Sequence, residues 1–245
     1  MNKEKKLHTA EEQHTAMDKI GGFVYQFYYF LYLLLRIEEG EEVSFEKLDD
    51  AAVESGESIS LVQVKHTVKV SVAGEMADLT NRSTDLWKAV DVWRKLIVGN
   101  EDENRTTEDK KKYIEAHQFV FVSNKDYVDN KFAQLCHDLQ TSTSPISIDQ
   151  VLDEITGEGK SRQTTAKGRT IQMMIDDLKS FELKEAFLSR ISFESISQTD
   201  LRNKCVEAIK KDAWFAEDEA EVVFDDFLCE AVKDFSKQAD LGKPL

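Results

Sequence analysis

The stretch that decides the architecture is "DDAAVESGESISLVQVKH", residues 49–66. Two aspartates lead into a short β-prone run, small residues interrupt it at "SGES", and a second β-prone run ends in Gln-Val-Lys-His. Gly56 can take the positive φ that a tight turn needs, so the spacing predicts a hairpin. Symmetric pairing across the turn sets Glu54 opposite Ile59 and Asp50 opposite Gln63. Side chains alternate along a strand, so Gln63 and Lys65 share one face while Val62 and Val64 point the other way, into the core. The hairpin therefore gathers Asp50, Gln63 and Lys65 on one polar patch, with the backbone carbonyl of Val64 between the last two. Asp49 competes with Asp50 for the acidic place, and alternation predicts that the two face opposite ways.

That patch has a definite chemistry. A carboxylate, an amide oxygen and a main-chain carbonyl are hard oxygen ligands. They suit Mg²⁺ (or Mn²⁺), which takes a few protein oxygens and keeps waters for a phosphate substrate. A lysine on the same face can orient the attacking water and offset phosphate charge. The expected activity is metal-assisted hydrolysis of a phosphodiester, with Asp50, Gln63 and the Val64 carbonyl as metal ligands and Lys65 as the catalytic lysine.

Working outward, "FVYQFYYFLYLLL" at 23–35 is the most apolar run. It contains Gln26 and is shorter than the ~20 residues a membrane crossing needs. It predicts a core helix over 20–37 and no membrane partner. "EEVSFEKL" predicts a strand before the hairpin, and "HQFVFVSN" one buried on both faces. Leu86, Val90, Trp93 and Ile97 mark one face of a helix over 83–98, with Trp87 open between core and surface. "NEDENRTTEDKKK" predicts a solvated loop, and Asp126 is expected to open a helix with Val128, Phe132, Leu135 and Leu139 buried. Residues 141–165 are left without an element. "EITGEGKS", 154–161, lacks the leading glycine and buried strand of a phosphate loop and is expected to be a surface turn. A helix over 165–180, one at "KEAFLSR" and a strand at "ISFESI" follow. Two closing helices are marked by Leu201, Cys205 and Ile209, and by Phe224, Phe227, Leu228, Ala231 and Phe235. The order predicts an α/β fold: a central mixed β-sheet flanked by helices, with a C-terminal helical pair.

Composition narrows the setting. The chain has 245 residues, 41% hydrophobic, enough for a substantial core, and a net charge of -15. An acidic surface works against loose binding to nucleic acid or anionic membrane. Cys136, Cys205 and Cys229 are far apart and odd in number, and are expected as reduced, buried thiols of a cytoplasmic protein. The charged start, "MNKEKKLHTAEEQHTAMDKI", has no apolar stretch and is not expected to be a signal peptide. His66 points away from the patch and is expected to be structural.

An acidic residue opening one strand, then Gln or Glu, any residue and Lys on the next, resembles the PD-(D/E)XK nuclease superfamily. "GGFVYQFYYFLYLLL", "FEKLDDAAVE", "LVQVKHT", "STDLWKAVDVW" and "FVFVSN" together resemble the double-stranded DNA endonuclease domain of bacterial antiphage effectors. Such domains stand at the N-terminus of effectors associated with cyclic-oligonucleotide synthases and of some large antiphage NTPases. The likeness spans about residues 18–135. It implies a restriction-endonuclease-like fold, double-stranded DNA as substrate, and three segments: a polar lead-in (1–18), a nuclease core (19–195) and a C-terminal helical extension (196–245). It also implies places near the site for Gln26 and, upstream, for Glu46. Position 63 carries Gln where the superfamily pattern allows an acid, which reduces the charge offered to a metal. Because a net charge of -15 repels a polyanion, efficient cutting is expected only in a homo-oligomer or with an activating partner domain or chain. Two other readings stay open. One is a catalytically silent acidic interaction module that keeps the nuclease fold; the other is a nuclease directed at RNA.

Overall fold

The computed structural model describes residues 10–45, 49–67, 78–99, 105–141, 147–158, 165–213 and 216–240. For 10–20 and for several positions after 211, only the backbone is described. Five strands form one mixed sheet in the order β1-β2-β3-β4-β5: β1 (Glu41–Phe45), β2 (Ala51–Ser55), β3 (Ser58–Lys65), β4 (His117–Ser123) and β5 (Ile191–Ser195). The first three strands are antiparallel; β3, β4 and β5 are parallel. Parallel neighbours need crossovers, and helices supply them. Between β3 and β4 run α2 (Thr84–Val98) and α3 (Thr107–Ala116). Between β4 and β5 run α4 (Lys131–Thr141), α5 (Ile148–Glu158), α6 (Ala166–Ser180) and α7 (Lys184–Leu188).

The hairpin register is the predicted one. Glu54 pairs with Ile59 and Ala51 with Val62, around Gly56 at φ 60°. Each face of the sheet builds its own core. Leu61, Phe119, Phe121 and Ile191 pack beneath α2 and α4–α7. Val62, Val64 and Val122 pack beneath α1 (Ala10–Leu34), α8 (Gln198–Ala213) and α9 (Glu217–Asp240). The architecture is thus α/β with a five-stranded mixed sheet between two helical layers, closed by a C-terminal helical pair. Trp87 and Trp93 are both fully buried, and the Trp87 indole donates to the Asn81 carbonyl at 2.9 Å.

Several local expectations change. Helix α1 starts at Ala10, well before residue 20. The second half of the tract expected as a solvated loop opens α3, started by a capping box in which Asp109 N donates to Thr106 Oγ1 (3.2 Å) and Thr106 N to the Asp109 carboxylate (3.0 Å); residues 100–104 lie outside the described residues. Only Ile114 of that helix is buried, so no apolar stripe betrayed it. Asp126 does not open α4: it accepts from Val128 N in a turn, Val128 is 74% exposed, and Asn130 caps the helix through Ala133 N at 2.9 Å. The unassigned tract holds α5, so 154–158 is its last turn and not a surface loop; 159–161 lie outside the described residues. Cys136 and Cys205 are buried as expected, but Cys229 is exposed, because it lies on the outer side of α9. On the same helix Phe224 is buried and Phe227 half exposed.

Candidate active site

The site forms where the β2–β3 ladder ends. Strand β2 begins at Ala51, and Asp50 lies in the bend just before it, opposite Gln63 by continuation of the register. An antiparallel residue directs its N–H and C=O to the same side. With β2 no longer there to pair, the backbone of Val64 is open toward Asp50. The aspartate side chain takes over: its Oδ2 accepts from Val64 N at 2.8 Å and from Lys65 Nζ at 3.3 Å. The Gln63 carboxamide nitrogen donates to the same oxygen. All three bonds fall on Oδ2, and among the described residues Oδ1 takes none. Gln26 reaches in from α1 and donates from Nε2 to the Val64 carbonyl at 3.3 Å. That carbonyl has a second lone pair, so Gln26 aims it without using it up.

Asp50, Gln63, the Val64 backbone, Lys65 and Gln26 are therefore brought together. Glu46 lies outside the described residues. Gln63 is buried, at 9% exposure, and the Asp50 and Lys65 side chains are 17% and 32% exposed. The patch is thus more buried than the half-solvated strand face the alternation suggested.

Asp49 corrects the expectation that it faces away from Asp50. Strand alternation does not govern a bend, and its Oδ2 accepts from the Trp93 indole on α2 at 2.6 Å while Oδ1 accepts from Asp50 N at 2.9 Å. Burial pushes its pKa up to about 6, the Trp93 N–H opposes that rise, and the neighbouring charge of Asp50 adds to it. Two adjacent carboxyls on one lysine are short of positive charge. Among the described residues no three His, Cys, Asp or Glu side chains come together as a metal cluster, so any ion here depends on the amide and carbonyl oxygens as well.

His66 packs against Tyr25 of α1 on the other face, ring centroids 4.9 Å apart and tilted by 37°. Sequence reasoning missed two contributors. Trp93 belonged to the predicted core stripe, but its indole nitrogen reaches Asp49. Asn124, just past β4, clamps the exit of β3: its Oδ1 accepts from Thr67 N (2.9 Å) and its Nδ2 donates to Thr67 O (2.7 Å). An Asn directly after a buried strand was the available signal.

No family model and no curated protein matches the chain. Among solved structures it is similar to a SAVED/CARF-domain containing receptor, Cap4 of Moraxella osloensis. The TM-score is 0.42 and the identity 15%, over 84% of this chain and 41% of that one. A likeness this distant fixes neither family nor activity, and the chain spans about two fifths of that receptor's length. Among the described residues, no helix is long and apolar enough to cross a membrane.

Proposed function

We propose that the chain is a metal-dependent endonuclease domain that hydrolyses phosphodiester bonds of double-stranded DNA. One observation carries the reading: a carboxylate, a carboxamide, a main-chain carbonyl and a lysine converge where the β2–β3 ladder opens. Asp50 Oδ1, the Gln63 amide oxygen after rotation of the carboxamide, and the Val64 carbonyl would hold Mg²⁺ or Mn²⁺, a donor set of hard oxygens. The ion, when bound, would polarise the phosphoryl group and acidify a water. Lys65, released from Asp50 by the ion, would orient the water and hold a phosphoryl oxygen. A new oxygen–phosphorus bond forms as the bond to the leaving sugar oxygen breaks. The acidic pair Asp49–Asp50 favours an added cation, since burial already strains the ionisation of Asp49.

By its sequence resemblance, the activity would serve antiphage defence, destroying phage or host DNA in the cytoplasm after infection. A net charge of -15 predicts that the dilute chain binds duplex with a Kd no better than about 10⁻⁵ M at physiological salt. Clustering of several copies would then gate the cut. The competing reading, a catalytically silent module, draws on that same acidity and on the lack of a three-carboxylate cluster among the described residues. Plasmid digestion with and without Mg²⁺, on the monomer and on a forced dimer, separates them. Metal-dependent nicking that is faster per site in the dimer supports the nuclease. Intact plasmid in every arm refutes it, and equal rates in both forms refute the gating alone.

A further inference from the structure

Parallel pairing of β3 with β4 ends where Lys65 stands opposite Ser123. Beyond that pair the main chain of β4 turns aside: Lys125 N donates to Ser123 Oγ at 3.2 Å, and the Asp126 carbonyl accepts from Leu79 N at 2.7 Å. A parallel ladder continues through main-chain N–H and C=O groups of the neighbouring strand. At Thr67 one side chain supplies both. Asn124 Oδ1 accepts from Thr67 N at 2.9 Å, and Asn124 Nδ2 donates to Thr67 O at 2.7 Å. A carboxamide carries the donor and acceptor of a peptide group, so it lengthens the ladder by one step. A carboxylate in the same place would offer acceptors and no donor.

That step brackets Lys65. On the β2 side Val64 N is held by Asp50 at 2.8 Å; on the β4 side Thr67 is held at both its N–H and its C=O. Between them His66 packs on Tyr25, whose hydroxyl donates to the Ile196 carbonyl at 2.7 Å. The Lys65 side chain needs such support: it is 32% exposed, and its Nζ stands 3.3 Å from Asp50 Oδ2. A four-carbon stem has many rotamers, so the direction of its Cα–Cβ bond decides which of them reach the acid. The main chain on either side sets that direction.

We propose that Asn124 is a positioning residue for the cleavage step: by fixing Thr67 it holds the strand end from which Lys65 reaches toward Asp50 and the phosphodiester. Its effect passes through the main chain of β3, so it is not itself a catalytic residue. The proposal rests on the endonuclease reading and adds to it a residue from the end of β4, a strand that contributes none of the ligands.

Single-turnover nicking of supercoiled plasmid by the full chain in Mg²⁺, over a series of protein concentrations, tests it. Asn124→Ala should lower the maximal rate about tenfold, since small misplacements of a reacting group are costly. Its half-saturating concentration should stay within about twofold, because no contact to DNA is removed. Asn124→Asp is nearly isosteric, keeps the acceptor for Thr67 N and loses the donor to Thr67 O; it should be slowed to a similar degree. In a Lys65→Ala background, Asn124→Ala should add no further loss, the non-additivity of two residues that act as one unit. Without metal or DNA, the Thr67 amide of Asn124→Ala should exchange with solvent faster than in the wild type, and the Phe121 amide should not. A wild-type maximal rate in folded Asn124→Ala overturns the proposal, as does unchanged exchange at Thr67. Losses that multiply fully in the double variant also overturn it, since they report general stability, and so does failure of both Asn124 variants to fold. The endonuclease reading fails on a different result. No Mg²⁺-dependent nicking by the wild type removes that reading and the positioning role with it, whereas nicking that needs Lys65 and is indifferent to Asn124 removes the positioning role alone.

Discussion

Two carboxylate–lysine pairs on the sheet, among the described residues, are built differently. At the β2–β3 end, Lys65 approaches Asp50 at 3.3 Å. On β5, Lys204 of α8 approaches Glu194 at 3.8 Å, with the two side chains 49% and 31% exposed. Glu194 sits within a paired stretch of strand, opposite Val122, and among the described residues its carboxylate accepts from no main-chain N–H. Its Oε2 instead accepts from the phenol of Tyr29 at 2.6 Å, and Lys204 also lies over the Tyr32 ring. Asp50 stands where a ladder stops, so a main-chain N–H, a main-chain carbonyl and a carboxamide converge on it. A carboxylate beside a lysine is therefore not itself a site. The open backbone turns one pair into a set of oxygen ligands, and the phenol makes the other a closed structural tie between α1 and β5.

The largest expected difference is in catalysis. Lys65→Ala should cut plasmid at least ~100-fold more slowly in Mg²⁺, the scale of losing a positioned proton-handling group. Lys204→Ala should stay within about twofold, because its pair is exposed enough that solvent screens it. Both proteins should melt cooperatively near the wild-type temperature, followed by circular dichroism. Equal losses in both variants, or a folded Lys65→Ala that cuts at the wild-type rate, would erase the distinction.

The first pair was legible in the sequence and the second was not, for a reason of distance along the chain. Asp50, Gln63 and Lys65 lie on two strands joined by a tight turn. The turn residues set the register, and the register sets the faces. Tyr29 and Glu194 are 165 positions apart and meet only after the sheet is assembled. The same limit explains Asp49, whose partner Trp93 comes from a helix 44 residues on. It also hides the partner of Asn124, since Thr67 lies 57 positions back along the chain. Helix α3 escaped for another reason: a capping box and polar residues make a helix with almost no buried stripe.

A second test bears on Asp49. Its carboxyl binds a proton more tightly when folded, so it favours the folded state most below the unfolded value of 3.8 and loses that contribution as pH rises through about 6. At neutral pH its ionised form costs roughly 3 kcal/mol of stability, at about 1.4 kcal/mol per pH unit. Asp49→Asn keeps an oxygen for the Trp93 indole, gives up the local bond from Asp50 N, and carries no charge to desolvate. It should raise stability in metal-free urea melts at pH 7.5, with the gain shrinking toward zero by pH 4. In cleavage, Asp50→Asn should be the more damaging variant, since Asp50 alone receives Val64 N–H, Gln63 and Lys65. A pH-independent stability difference would mean Asp49 is not the strained member of the pair.

The smallest effect belongs to the closed tie. Tyr29 is 4% exposed, and burial, then the charge of Glu194, hold its hydroxyl protonated far above the ordinary phenol range. It is a permanent donor to the carboxylate. Tyr29→Phe keeps the ring packing and deletes one hydrogen bond to a charged, partly buried acceptor, which should cost about 2 kcal/mol in urea unfolding. Glu194→Gln should cost less, because an amide oxygen still accepts from the phenol while Lys204 turns to solvent. Neither variant should change cleavage per folded molecule, because both lie on the α1 side of the sheet, away from the opening at Val64. A Tyr29→Phe protein that unfolds like the wild type but cuts tenfold more slowly would put the β5 pair into the chemistry and undo the contrast.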